Sequence, residues 1–500
     1  MKELILRCAL QNAIKYNGKA DTNSVLGLFF ALNKNTSNKN EIVDLVKKTV
    51  SEVNNLKLEQ QKNKLNSLGE IKIKKRKETS PELQNVKGKV IVRFAPNPNG
   101  PLSLGHCRIA LWNWLFREKY RGGFCLRYDD TSPLIKVPLK EAYKWIKEDL
   151  AWLGIRPDKT IIQSKRFSIY YKYAEELIKK GFAYVDTLPQ EKMQKMLSNS
   201  QISEERNEPP DDVMRKWKKM FTTYKDGEAV LRIKTDIMHP NPAVRDWVAF
   251  RIARKSKHPL VKAKVWPMLN FASAIDDYEF KVTHILRGVD LEISDIRQKF
   301  IHDYFNWKYP ETTYSGKFLV SGIKSTTESY ELIKEGKLSG WHDPRLGTIT
   351  ALRKRGFQPE AVIKFIKDNG IGKNDLKVNI SSIESYNAKI IDKKANRYFI
   401  ILDPKKISIK GIKKKEVEIP LHPEFPKKGK RKLKINETFY IQDSLNSSTI
   451  YRFMYLGNIK NNSLVSEDFD SSLKAIPVHW LPVTKDLVTV EVVMPDNSIR

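Results

Sequence analysis

Cysteine is scarce in this chain of 500 residues, where only Cys8, Cys107 and Cys125 occur. They show no metal-ligand spacing and an odd number cannot all pair, so neither a disulfide framework nor a structural zinc is expected, and a reduced cytoplasmic setting is. No apolar run approaches the roughly 18 residues of a membrane span, so no membrane partner is expected. Met1 to Leu10 is too short and too interrupted, by Lys2, Glu3 and Arg7, to predict a signal peptide. Acidic residues are in deficit, with 58 Asp and Glu against 90 Lys and Arg, which leaves a formal net charge of +32. That excess points to a polyanion, nucleic acid first, with a solvated lysine-rich surface as the alternative. Length is not lacking: the chain has room for roughly three or four domains with their own cores, and a monomer is expected.

Shifts of pattern divide the chain. Residues 1–85 read as a helical N-terminal appendage and linker, with Val43, Leu45, Val46 and Val50 at helical spacing and a charged stretch at Lys72 to Lys77. Strands and helices alternate over 86–186, as in the first half of a doubly wound Rossmann-like domain, and again over 246–310. Residues 187–245 break the alternation and read as an insertion. A loop and helical connector follow at 311–375, with helical periodicity from Ile349 through Ile366. From 376 to 500 short β-rich runs, such as Tyr398 to Leu402 and Val488 to Val493, predict antiparallel β-barrels. The expected fold class is therefore multidomain, α/β and β. Lys413 to Lys415 and then Lys427, Lys428, Lys430, Arg431 and Lys432 cluster at turns of that region, either to meet nucleic acid or to shield edge strands.

The most informative stretch runs from Arg93 to His106. Val90 to Phe94 suits a buried strand, the prolines after Ala95 stop it, and from Cys107 the residues Ile109, Trp112 and Phe116 recur at helical spacing. Gly105 and His106 then sit at a helix N-terminus, where backbone N–H groups and the helix dipole favour phosphate. This stretch resembles the first signature of the class I aminoacyl-tRNA synthetases, in the glutamyl/glutaminyl version of archaeal type. The family pattern ends in His-x-Gly-His, whereas Ser103 stands here in place of the first histidine.

Further matches continue in order from about Lys89 to Arg500. Leu126 to Pro133 resembles the element in which the residue matching Asp129 holds the amino acid's ammonium. Val265 to Phe271 and Thr283 to Asp290 form a third block. There the resemblance implies that Arg287 meets a substrate carboxylate and that Arg93 meets the side-chain end of glutamate, with Ala95 and Asn97 beside them. Leu269 and Leu291 depart from the family's Tyr and His. The insertion, with His239 to Trp247 and its Arg245, resembles the part of the family that grips the acceptor end of tRNA, near the basic Arg215, Lys216, Lys218 and Lys219. Phe318 to Thr327 lies where the family carries a Lys/Ser loop on the ATP phosphates, which implies roles for Lys324 and Ser325 beside Gly105 and His106. Ser339 to Thr348, with Asp343 and Arg345 as implied tRNA contacts, matches again, and the last region resembles an anticodon-binding module.

The resemblance implies a glutamate–tRNA ligase that uses ATP with Mg2+ and charges tRNA. Two alternatives stay open. A glutaminyl enzyme shares almost every motif, and the altered Ser103, Leu269, Leu291 and Lys/Ser loop would also suit a catalytically weakened paralogue that binds tRNA.

Overall fold

The computed structural model describes every residue except 17, 34–38, 72–80, 321–325, 414, 495 and 497. The chain divides into two compact units, Met1–Ser80 and Pro81–Arg500. The first is built from four helices, α1 (Lys2–Lys15), α2 (Thr22–Leu32), α3 (Lys39–Asn54) and α4 (Leu58–Leu68). Their apolar faces close over Ile5, Leu10, Phe29, Val46, Val53 and Leu65. Asp21 caps α2 by accepting the Ser24 N–H at 2.8 Å. The buried Gln61 amide donates to the carbonyls of Val53 and Gly18, at 2.8 and 2.9 Å.

In the second unit β1 (Ile91–Phe94), α5 (Leu104–Lys119), β2 (Gly123–Tyr128), α6 (Ala142–Trp152), β3 (Lys159–Ile162) and α7 (Phe167–Lys179) alternate. The three strands pair in parallel in the order β1-β2-β3. Their near-continuous apolar character follows from burial on both faces, Val92, Phe124 and Leu126 being almost fully enclosed. Then come β4 (Ala183–Asp186), α8 (Gln190–Ser198), α9 (Pro210–Thr222), β5 (Val230–Ile233), β6 (Val248–Ile252) and β7 (Val265–Pro267). These four strands make a separate antiparallel sheet around Trp217, Phe250 and Trp266. The break in alternation expected over 187–245 is thus an antiparallel sheet that starts earlier, at β4, and runs on through β7. Next, α10 (Leu269–Glu279) leads into β8 (His284–Gly288), α11 (Glu292–Tyr304) and β9 (Glu311–Ser315). β8 pairs in parallel with β9 and lies against β1, tied to it where the Thr283 N–H donates to the Ile91 carbonyl at 2.9 Å.

Two sequence expectations change here. The helical periodicity read from Ile349 through Ile366 falls in two helices, Ile349–Lys354 and Pro359–Asn369, because Gly356 adopts φ 85° and Pro359 has no N–H to continue the ladder. The strand Leu376–Val378 and the helix Ile380–Ile391 pack into the core beneath β1 through Val378 and Ile383, not with the β-rich region that follows.

That β-rich region has its own core of Phe439, Ile441, Phe453, Ile459 and Trp480. Among the described residues its strands form open sheets of three, two and four strands, and Tyr451–Phe453 pairs in parallel with Ile476–Val478, so no closed antiparallel barrel is seen. Tyr398 to Leu402 and Val488 to Val493 are not strands. Val488 is 83% exposed, and β-propensity without a partner edge or a core to cover does not hold a strand.

Candidate active site

The loop leaving β1 enters α5 at Ser103. The Ser103 hydroxyl accepts the His106 N–H at 3.4 Å, and the Ser103 N–H donates to His106 Nδ1 at 3.3 Å. This is a reciprocal capping box with histidine where Glu or Gln is usual. Nδ1 is therefore an acceptor and the ring proton belongs on Nε2. Withdrawal from water, then the nearby charge of Lys136, lowers the imidazole pKa and favours this neutral form. A Cβ placed on Gly105 would meet Ser103 Oγ at no less than 3.8 Å, so the protein itself leaves that side of the helix terminus open.

The loop is clamped from behind. The Ile349 N–H donates to the Leu102 carbonyl at 2.8 Å and the Leu104 N–H to the Gly347 carbonyl at 3.2 Å. Gly100 is required sterically, because a Cβ there would lie 2.8 Å from Thr326 Cγ2 and 2.9 Å from the Trp341 ring. Beneath the loop, Asp149 accepts the Leu102 N–H at 2.9 Å, and burial pushes its carboxyl up to about 7 against the opposing effects of that bond and of Arg353.

Around the ends of β1, β2 and β8 three guanidiniums and three carboxylates meet. Arg127 grips Asp129 with two bonds, at 2.6 and 3.2 Å, reaches Asp277 at 2.6 Å and takes Ser273 Oγ at 3.0 Å. Arg93 on β1 places its Nε 3.2 Å from the same Asp277 oxygen. Arg287 on β8 is ion-paired with Asp295 at 2.8 Å and donates to Gln298 at 3.1 Å. Tyr309 and Tyr314 in turn donate to Asp295. Burial pushes the pKa values of both Asp129 and Asp277 upward. For Asp277 the fields of Arg93, Arg127 and Arg287 outweigh burial and leave it below the ordinary carboxylate range, while for Asp129 burial wins and leaves it above. The second oxygen of Asp277 and the Nε of Arg287 are buried with no hydrogen-bond partner among the described residues. With Arg93, Arg127 and Arg287 set against Asp129, Asp277 and Asp295, the cluster keeps both an open acceptor and an open donor at the carboxyl ends of parallel strands, which suits a ligand carrying an ammonium and a carboxylate.

Residues 89–393 match the catalytic domain of the tRNA synthetases class I (E and Q), and 395–479 match the anti-codon binding domain of the same group. The chain belongs to this family. It is 42% identical to the glutamate–tRNA ligase of Pyrococcus furiosus, across 100% of this chain and 92% of that protein. Against the glutamate–tRNA ligase of Methanocaldococcus jannaschii the identity is again 42%, with the same coverage of both chains. A crystal structure of glutamate–tRNA synthetase from Elizabethkingia anophelis aligns at 25% identity over 61% of this chain and 70% of that one, with a TM-score of 0.45.

Of the residues singled out in the sequence, Arg93, Asn97, Asp129 and Arg287 come together around the ends of β1, β2 and β8. Asn97 donates to the Asp129 carbonyl at 3.0 Å, and Ala95 is half-buried beside it in the chain. Lys324 and Ser325 lie outside the described residues. The expected tRNA contacts are differently occupied. Arg245 is buried, with its guanidinium on the carbonyls of His239 and Ser198, at 2.8 and 3.1 Å, so it closes the end of α8. Asp343 is buried and grips Arg345 at 2.8 Å through two bonds, which holds its carboxyl well below the usual range and stiffens the turn behind the first signature. On α9, Arg215 pairs with Asp212 and Lys216 with Glu208, while Lys218 and Lys219 face solvent. Among the C-terminal lysines, Lys430 and Lys432 pair across strands with Glu418 and Glu416, whereas Lys413, Lys415 and Lys427 are exposed.

Sequence reasoning missed Arg127, Ser273, Asp277 and Asp295. The doublet Asp276-Asp277 in an otherwise apolar helical run was a usable signal, since charges on a core-facing position demand partners. Nothing local marks Asp295 or Gln298 as partners of Arg287.

Proposed function

We propose that this chain is a glutamate–tRNA ligase. Full-length identity of 42% to glutamate–tRNA ligases carries the reading, and the cluster of arginines and carboxylates at the strand ends, suited to an amino acid, agrees with it. A glutamate α-carboxylate oxygen attacks the α-phosphorus of ATP, pyrophosphate departs, and glutamyl adenylate stays bound. A terminal ribose hydroxyl of tRNA then attacks the acyl carbon and AMP leaves with its proton balance restored by solvent. No protein nucleophile is involved, so catalysis comes from positioning and from stabilising charge as it develops.

His106 serves the phosphates. Its Nδ1 is occupied by the Ser103 N–H, which leaves Nε2–H as the donor, and the positive end of the α5 dipole adds to it. The Ser103 hydroxyl adds a cap on the His106 N–H. Gly105 leaves room for the nucleotide, with Lys324 and Ser325 acting from the second signature. Asp129, held in one orientation by Arg127, receives the substrate ammonium, aided by the loop of Ala95 and Asn97. The terminal nitrogens of Arg93 meet the substrate side-chain carboxylate, and Arg287 meets the other. Mg2+ would enter with the ATP phosphates, which supply the hard oxygen ligands it needs. The exposed lysines of the β-rich region and Lys218 and Lys219 contact the tRNA backbone.

The test is a charging assay with separate transcripts of tRNA(Glu) and tRNA(Gln), each with glutamate or glutamine. Glutamate on tRNA(Glu) is the expected product. Glutamine transfer alone would make the chain a glutaminyl enzyme, and tight tRNA binding without any charging would make it a binding paralogue.

A further inference from the structure

The connection between β6 and β7 contains one fully enclosed polar side chain, that of His258, whose ring packs 5.4 Å from Trp266. Its Nδ1 accepts the N–H groups of Leu260 and Val261, at 3.2 and 3.3 Å. Nδ1 therefore carries no proton, and Nε2 is the donor. That donor crosses out of its own sheet to the carbonyl of Asp130, 2.9 Å away, with the Asp130 carboxylate at 3.5 Å.

Asp130 is itself immobilised. Its buried carboxylate accepts the Ser164 N–H at 2.8 Å, the Ser164 hydroxyl at 2.6 Å and the Tyr143 hydroxyl at 2.6 Å. Its neighbour Asp129 is held at the backbone by Pro96, whose carbonyl accepts the Asp129 N–H at 3.0 Å, and by Asn97. The Asp129-Asp130 pair is thus the point where the first-signature loop, the end of β2 and the antiparallel β4–β7 sheet are bonded together. Without the His258 bond, the Asp130 carbonyl would be a buried acceptor that has lost its side-chain donor, and the backbone beside Asp129 would lose one of its ties.

We propose that His258 is a positioning residue for the amino-acid site: through the Asp130 carbonyl it fixes the backbone that aims the Asp129 carboxylate at the substrate ammonium. This rests on the glutamate–tRNA ligase reading for the identity of the substrate. His258 acts through the backbone, and its effect belongs to glutamate rather than ATP, because the residue it holds is the chain neighbour of Asp129 and bonds to none of Ser103 to His106.

Two variants separate the bond from the packing. His258→Phe keeps an aromatic ring against Trp266 but has no donor, whereas His258→Gln carries an amide N–H where Nε2 lies. Full-length wild type and both variants are compared by thermal unfolding, by deuterium exchange of peptides spanning Phe124 to Pro133, and by initial rates of glutamylation with glutamate and ATP varied in turn. The Phe variant is expected to raise the KM for glutamate about tenfold, the worth of one buried hydrogen bond, with the KM for ATP unchanged and faster exchange around Asp129. The Gln variant is expected to restore most of both. Equal losses for glutamate and ATP, a glutamate KM unchanged in the Phe variant, or a Gln variant no better than Phe would each overturn the proposal. Exchange around Asp129 that stays at the wild-type rate in the Phe variant would overturn it whatever the kinetics. A wild-type protein that charges no glutamate would instead defeat the ligase reading, and the exchange comparison would still decide whether His258 holds this backbone.

Discussion

Asp149→Asn tests the ground under the first signature. In the folded chain burial raises the Asp149 carboxyl from 3.8 to about 7, partly opposed by the Leu102 N–H and by Arg353 at 4.0 Å. At about 1.4 kcal/mol per pKa unit, that rise is worth at most about 4 kcal/mol. The folded state binds this proton more tightly than the unfolded chain does. Its contribution is therefore complete below the unfolded value of 3.8 and is lost as pH rises through about 7. An asparagine stays neutral at every pH and its side-chain oxygen can still accept the Leu102 N–H. The variant should match wild type at about pH 4 and become the more stable protein by about 2–4 kcal/mol near pH 8, the lower figure allowing for Arg353, which is partly exposed. Urea unfolding followed by tryptophan fluorescence measures this, since α6 carries Trp145 and Trp152 beside Asp149. A stability difference that is flat over that range, or that shrinks toward alkaline pH, would show that Asp149 ionises as an ordinary carboxylate and that the loop does not rest on a proton.

Ser103→Ala should lower the unfolding temperature through loss of a cap worth about 1 kcal/mol, and Ser103→Thr should keep it; equal melting of all three proteins would remove the capping role. His106→Ala should slow glutamate-dependent ATP–pyrophosphate exchange, measured with tRNA saturating, by an order of magnitude or more, in line with about 2.7–4 kcal/mol for one transition-state donor. Arg127→Ala strips a bonded guanidinium from both Asp129 and Asp277 and should cost about 3–5 kcal/mol of stability, more than Arg93→Ala, where Asp277 keeps Arg127; chemical denaturation giving the reverse order would count against the network. Removing the chain beyond Lys394, a cut that spares the strand and helix packed into the catalytic core, should weaken tRNA binding and flatten its salt dependence, and an unchanged salt slope would reduce the lysine turns to surface solvation.

What could be read from the chain alone were features encoded within a short stretch. The strand, proline stop and helix start around Arg93 to His106 depend on local backbone preferences, and so the nucleotide-suited helix terminus was legible, as was the basic excess that suits tRNA. The carboxylate at Asp129 could be placed at a strand end for the same reason. The tertiary structure decided which charges are free and which are consumed. Arg93 and Asp277, or Arg127 and Ser273, are bonded across more than a hundred residues of sequence, and no local pattern announces such a pair. Arg245 and Asp343, which the resemblance implies as tRNA contacts, are buried in the folded chain and brace the end of α8 and the turn behind the signature, which no local pattern announces. In the β-rich region the error ran the other way, since Val488 to Val493 has the propensity of a strand but pairs only through an isolated bridge between Val493 and Ile499. Pairing, burial and the field of neighbouring charges are properties of the folded whole, because each depends on which distant groups arrive at the same few ångströms.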